Sequence, residues 1–341
     1  MVSLKMGAVL MLLGLLTTQA RAERCALVRD GDPVAAIVLS AKPTVAAQFA
    51  ARELQWHVEQ MTGAALPIER EGTAIAALPR RIFVGDTERA RAEGLAQGRF
   101  AEQERVVRFV DDAVLLVGRD ARRYEEVVYD LDDLPSCANW PGFWEERGTL
   151  DAVYDFLQRL CGVRWLSPTE GGTLLPESKT LAVPMRDLRR RPAFEFRDAI
   201  GATGDDPLRY DPYTALWPEA TEGYQQWEAA AYPALHVQYD AGGQYLHAKR
   251  MLARLFLLRM RNGGKPVRCN HSLYGYYQRF WERSEDPNAA KLFVERRPEM
   301  FAQGYEGEPP QMCYTSRALI EQLVQDARDY YDRRKSAEEL A

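Results

Sequence analysis

The stretch GTLDAVYDFLQRLCGVRWLSP, residues Gly148 to Pro168, organises the chain. Val153, Phe156, Leu157 and Leu160 recur at three- and four-residue spacing, which places them on one face of a helix. Thr149 is the expected cap of that helix, and Gly162 stands where a left-handed C-terminal stop belongs. Val163-Arg164-Trp165-Leu166 then reads as a short strand ended by Pro168. The unit reads as the completing helix and strand of a small α/β domain. Beyond Pro192 the pattern reads as the opening of a different domain.

Upstream, Ala35 to Leu39 predicts a strand. Pro43-Thr44 opens a helix to about Met61 that Gly63 stops. Leu66-Pro67-Ile68 is a short extended piece, and Arg81 to Gly85 is a strand leading into a turn. Val106–Val110 and Ala113–Val117, separated by Asp111-Asp112, carry a hairpin signature. Leu181 to Pro184 closes the region. A sheet with helices on it and one antiparallel hairpin is a mixed α/β layer. Between Tyr129 and Trp144 lies an aromatic loop with Trp140, Phe143 and Trp144. Flat rings of this kind suit the apolar face of a sugar; the simpler reading is a loop folded onto its own core.

The first 22 residues differ from the rest. Lys5 precedes an apolar run from Met6 to Leu16, and Ala20-Arg21-Ala22 is a small-x-small cleavage site. The run is short for a bilayer span. It predicts a signal peptide cleaved after Ala22, a secreted or periplasmic chain, and no membrane attachment after cleavage; an uncleaved N-terminal anchor is the alternative. Hydrophobic residues at 46% and charged residues at 27% place the remainder among soluble globular proteins. A net charge of −5 gives no electrostatic reason to expect nucleic acid. The five cysteines leave at least one thiol without a partner in the chain, and none has metal-knuckle spacing. Nucleophile-elbow, phosphate-loop and His-Glu-x-x-His motifs are absent, so neither cofactor nor metal is expected.

Downstream, Arg191-Pro192 marks the expected boundary, giving a leader over 1–22, an α/β domain over 23–190 and a second domain over 191–341. Phe194 to Asp198 reads as a strand, followed by a long aromatic loop from Gly201 to Gln244 that contains Trp217. Tyr245 to Arg261 predicts an amphipathic helix stopped by Asn262-Gly263-Gly264. Val267 to His271 reads as a strand, Ala289 to Glu295 as helical, Gln311 to Thr315 as a strand and Ser316 to about Lys335 as a helix. Strand and helix alternate as in a parallel (β/α) TIM barrel. Pro192 to Ala341 is 150 residues, whereas a closed barrel takes ~250. The expected fold class is therefore α/β, a mixed sheet domain followed by an incomplete barrel-like domain.

The segments LQWHVEQMTGAALPI, RIFVGDT and GTLDAVYDFLQRLCGVRWLSP resemble the N-terminal domain of bacterial α-glucuronidases. They are similar to the second, non-catalytic domain of β-hexosaminidases. The blocks NHSLYGYY, FVERRPEMFAQG and QMCYTS resemble the start of an uncharacterised barrel domain joined to such domains in exported bacterial proteins. The resemblance implies carbohydrate as the partner and glycoside hydrolase-like chemistry on oligo- or polysaccharide, with acidic glucuronosyl sugars in view. A non-catalytic carbohydrate-binding or scaffold protein, or a truncated inactive fragment, is the alternative. The catalytic carboxyl pair of such families lies on later strands, so no residue here is assigned a catalytic role.

Barrel sites form at the carboxyl ends of strands, which selects Arg197, Asp198, Asn270 and His271 as substrate-binding candidates. Trp217 of the aromatic loop and Asn262 join them. Arg197 resembles the sugar-binding arginine of β-hexosaminidases; its alternative is an ion pair with Asp198 or another local carboxylate. His271 reads as a donor to a sugar hydroxyl or as a structural hydrogen-bonding residue. Asn262, before two glycines, reads as a polar ligand or as helix-ending chemistry.

Overall fold

The computed structural model describes residues 23–73, 77–198, 222–239, 243–265, 274–286, 289–332 and 334–335. The expected leader, the strand expected over 267–271, and Trp217, Asn270 and His271 lie outside the described residues. The chain forms two compact units, Met1–Pro266 and Val267–Ala341. The first extends well beyond Arg191-Pro192, because helices after residue 221 contribute to its core.

The centre of the first unit is a six-stranded mixed sheet. It is built from β3 (Ala35–Leu39), β4 (Ile68–Arg70), β5 (Arg80–Val84), β6 (Arg105–Val110), β7 (Ala113–Gly118) and β11 (Leu188–Arg190), in the order β11-β6-β7-β5-β3-β4. Strands β4, β3, β5 and β7 run parallel, and β6 and β11 pair antiparallel. The β6–β7 hairpin turns at Asp111-Asp112, with Asp111 at φ +53°. Asp tolerates that left-handed conformation better than most residues. A small separate sheet joins β1 (Arg24–Arg29), β2 (Asp32–Pro33) and β10 (Leu181–Pro184). Two short pairs complete the strands, β8 (Arg164–Trp165) with β9 (Thr173–Leu174), and β12 (Phe196–Arg197) with β13 (Gly263–Gly264).

Helix α1 (Val45–Thr62) begins where the Thr44 hydroxyl accepts the Ala47 amide and ends at Gly63, φ +79°. Helix α3 (Gly148–Phe156) continues into a π turn over Leu157–Cys161 and stops at Gly162, φ +86°. All nine residues of α3 are buried. The three- and four-residue apolar spacing gave one buried face; the polar faces are buried too, against charged partners. Thr149 is not the cap. It lies inside the helix, and its amide donates to the carboxylate of Asp120 at 2.9 Å. Asp120 also accepts the Thr44 hydroxyl at 2.9 Å, so one side chain serves the starts of both α1 and α3.

Side chains alternate across the sheet. Val114 and Leu116 join α1 and α3 on one face, while Leu115 and Val117 meet Ala90 of α2 (Glu88–Ala92), Leu95 and Phe100 on the other. Part of the expected long loop is helical: α4 (Glu222–Ala231) and α5 (Pro233–Gln238). Helix α6 (Gly243–Arg259) buries Tyr245, Ala248, Leu255, Leu257 and Leu258 in the main core.

The second unit contains α7 (Tyr274–Phe280), α8 (Arg317–Tyr331) and a core of Tyr276, Phe280, Met300, Phe301, Met312 and Leu319. Asp326 accepts both Arg279 nitrogens, at 2.7 and 3.0 Å, and the Tyr276 hydroxyl at 2.6 Å. The strand expected at Gln311–Thr315 is only a bridge between Phe301 and Met312. The chain turns directly afterwards, where the Ser316 amide donates to Cys313 and the Ser316 hydroxyl caps α8. The helix expected over Ala289–Glu295 is a single 3-10 turn, Ala289–Lys291.

Candidate functional site

A pocket of about 270 Å³ opens at the carboxyl ends of the parallel strands β3 and β4. Leu39 and Arg70 are register partners at those ends. Gln48, Arg52 and Gln55 come from α1 at four- and three-residue spacing, so they share one helical face. Glu126 and Val127, beyond β7, complete the rim. Carboxyl ends of parallel strands are where open α/β sheets receive ligands, because loops diverge there and leave a crevice.

The pocket wall is held in place. Gln48 donates to the carbonyls of Pro43 and Glu125, at 3.2 and 3.0 Å, and accepts the Val127 amide at 3.1 Å. Gln55 donates to the Leu66 carbonyl at 2.7 Å. Arg70 pairs with Glu126 at 3.2 Å, with both side chains well exposed. Such an exposed pair is worth about 0–1 kcal/mol and yields readily to a better partner. Arg52 is exposed and makes no hydrogen bond or ion pair among the described residues. Its guanidinium is a planar fork suited to a carboxylate or to neighbouring hydroxyls. Leu39, Ile68 and Val127 supply apolar surface between the polar groups.

Those sequence-derived candidates that are among the described residues, Arg197, Asp198 and Asn262, fall elsewhere. Arg197 is half-buried, and two of its three nitrogens are engaged: Nε with the Arg261 carbonyl at 2.9 Å, and Nη1 with Gln103 at 2.5 Å and the Phe194 carbonyl at 2.8 Å. It fixes the 194–197 segment to the turn after α6 rather than presenting a fork to solvent. Asp198 is half-buried beside it. Asn262 enters this region through its backbone, whose carbonyl accepts Arg147. The structure thus brings Arg197 and Asn262 into one neighbourhood, through contacts made by the backbone. Gly263, φ +101°, is required there, since a Cβ would lie 2.0 Å from the Phe143 carbonyl oxygen.

The aromatic loop packs into the main core of the unit rather than onto a core of its own. Trp140 and Phe143 are buried, Trp140 donates to the Val128 carbonyl at 2.9 Å, and Tyr129 meets Phe49 edge-on at 5.3 Å. Trp144 stacks on Phe196 at 5.4 Å.

Glu53 and Asp120 are two of the acidic groups buried in this unit. Glu53 receives Arg259 through two hydrogen bonds, at 2.8 and 2.9 Å, together with the Tyr129 hydroxyl. The Tyr154 hydroxyl lies beside the same carboxylate without completing a hydrogen bond. Burial opposes the Glu53 charge, but Arg259 prevails and holds the carboxyl at about 2. Burial pushes Asp120 up to about 7, against the amide and hydroxyls that bind it. Both are enclosed, so their chemistry is structural. The pocket lining was not legible in the sequence: Arg52 and Gln55 look like an exposed helix face until β4 and Glu126 are placed beside them. No His/Cys/Asp/Glu group able to hold a metal ion occurs among the described residues, and Cys25, Cys137, Cys161 and Cys313 are free thiols. No helix there is long and apolar enough to cross a membrane.

No protein-family model matches the chain, and no curated protein does.

Proposed function

We propose that this is an exported, glycoside hydrolase-like protein whose first unit binds an acidic saccharide in the β3–β4 pocket. The observation that carries the reading is Arg52: an unengaged guanidinium on the wall of a pocket that also offers Arg70, the side-chain oxygen of Gln55 and an apolar patch. A uronic acid presents the complementary groups, one carboxylate, several hydroxyls and an apolar ring face. The volume approaches the lower end of the ~300–1,000 Å³ range of ligand sites, which suits one sugar residue.

The residues favour recognition over hydrolysis. Glycoside hydrolysis needs two carboxyl groups about 5–9.5 Å apart across the scissile bond. Glu126 is the single carboxylate lining the pocket among the described residues. The test is thermal unfolding of the mature chain with uronic and neutral oligosaccharides. A ligand that binds only the folded state raises the midpoint. A rise with uronic oligosaccharides that Arg52→Gln abolishes supports the proposal; equal midpoints with and without them contradict it.

A further inference from the structure

Beneath α3 the first unit collects five arginines around two aspartates. Asp155 is shared by three of them: Arg105 Nε at 2.6 Å, Arg159 Nε at 3.3 Å and Arg261 Nη2 at 4.0 Å. Arg147 approaches Asp151 at 3.5 Å, and Arg197 binds the Arg261 carbonyl. Five positive charges against two negative leave an excess of three.

The other acceptors are neutral. Arg261 donates to Gln158 and to the Arg259 carbonyl, Arg197 to Gln103 and two carbonyls, and Arg147 to the carbonyls of Gly142, Phe143 and Asn262. The nearby carboxylates are engaged elsewhere: Glu104 with Arg189, Glu195 with Arg191, and Glu146 with the Gln103 amide. Asp155, Arg105 and Arg147 are nearly inaccessible, so water screens their charges weakly. Burial and the like charges of their neighbours lower the proton affinity of Arg197 and Arg261. Uncompensated charge in such a place is costly. Arg105 and Arg159 each bond the protein only through Nε among the described residues, leaving terminal N–H donors for another acceptor.

We propose that this cluster binds a tetrahedral inorganic dianion, phosphate or sulfate, on the terminal guanidinium donors of Arg105 and Arg159 beside Asp155. A dianion offsets most of the excess and offers several oxygens to diverging donors; a single carboxylate does neither. The site is independent of the β3–β4 pocket, so either can fail alone.

The test is thermal unfolding of the mature chain in chloride, with sodium sulfate or phosphate added at constant ionic strength. Saturable binding raises the midpoint to a plateau, whereas general salting effects grow steadily with concentration. The expected result is a plateau with sulfate and phosphate, and its loss in Arg159→Gln, a half-exposed position that leaves the fold intact. Gln158→Glu supplies an internal anion next to Arg261. It is expected to raise the midpoint in chloride and to remove the response to sulfate. A rise without a plateau, the same in Arg159→Gln, would overturn the proposal, as would a lower midpoint in Gln158→Glu.

Discussion

The guanidinium of Arg259, the last residue of α6, grips the carboxylate of Glu53 in α1 with Nε–Oε2 at 2.8 Å and Nη2–Oε1 at 2.9 Å. The two residues are 206 positions apart, and Glu53 is fully enclosed. His57, one turn further along α1, donates Nδ1–H to the Glu53 carbonyl at 2.7 Å, and its Nε2 accepts Trp165 at 3.1 Å. The pair therefore ties α6, α1 and the strand after α3 into one core.

Truncating either partner leaves a buried charge without its counterion, which costs about 3–5 kcal/mol. Arg259→Ala is expected to lower the unfolding free energy from urea titration by that order, and Glu53→Ala likewise. An Arg259→Ala chain as stable as the parent would show that α6 does not depend on this anchor.

Acid should loosen the same cluster. Burial holds His57 down at about 4, aided by Arg259 and opposed by Glu53. Its folded value lies below its unfolded value of about 6.5, so the unfolded chain binds more protons between the two. Its contribution, on the order of 3 kcal/mol, is complete above about pH 6.5 and is lost as pH falls toward 4. Glu53, also depressed, adds a second loss between about 4.5 and 2. Urea unfolding across this range checks the slope, and His57→Gln should flatten the upper part.

Asp120 acts with the opposite sign. Its folded value is raised to about 7 by burial, so its contribution is fullest below about pH 4 and is lost as pH rises through 7. Asp120→Asn keeps an acceptor for the Thr149 amide and carries no charge. The variant should be weaker than the parent near pH 4 and gain on it steadily toward about pH 8. A constant difference across that range would mean the carboxyl is ionised throughout.

Gly118 and Gly148 let the end of β7 and the start of α3 touch. A Cβ at Gly118 would meet the Gly148 carbonyl carbon at 2.4 Å, and one at Gly148 the Arg119 nitrogen at 2.6 Å. Gly148→Ala is expected to cost more than about 2 kcal/mol, as overpacking against fixed backbone does. Gly98→Ala, where a Cβ meets nothing within 4 Å, is the control and should be nearly neutral. Circular dichroism melts of the two variants decide the matter.

Local chemistry was readable in the sequence, and long-range partnership was not. Thr44, Gly63 and Gly162 act as the caps their types and positions predict, because capping is decided within a few residues. Thr149 has the chemistry of a cap but not the role, because the residue that binds its amide, Asp120, lies 29 positions away. Strand β1 carries no local signal, because the partner that orders it, β10, lies about 150 residues downstream. Arg197 looked like a ligand for sugar because an arginine at a strand end has that chemistry. The carbonyls that claim it come from residues 194 and 261. The pocket needed α1, β4 and the loop at Glu126 brought together, and none of these carries a motif.

The most direct test of the saccharide reading is calorimetric titration of the protein with a uronic oligosaccharide and with the same oligosaccharide after its carboxyl groups are reduced to alcohols. Binding of the acidic form, loss of most of that affinity on reduction, and an equal loss in Arg52→Gln are the predicted results. Equal affinity for both forms, or unchanged affinity in Arg52→Gln, would contradict the assignment of the pocket.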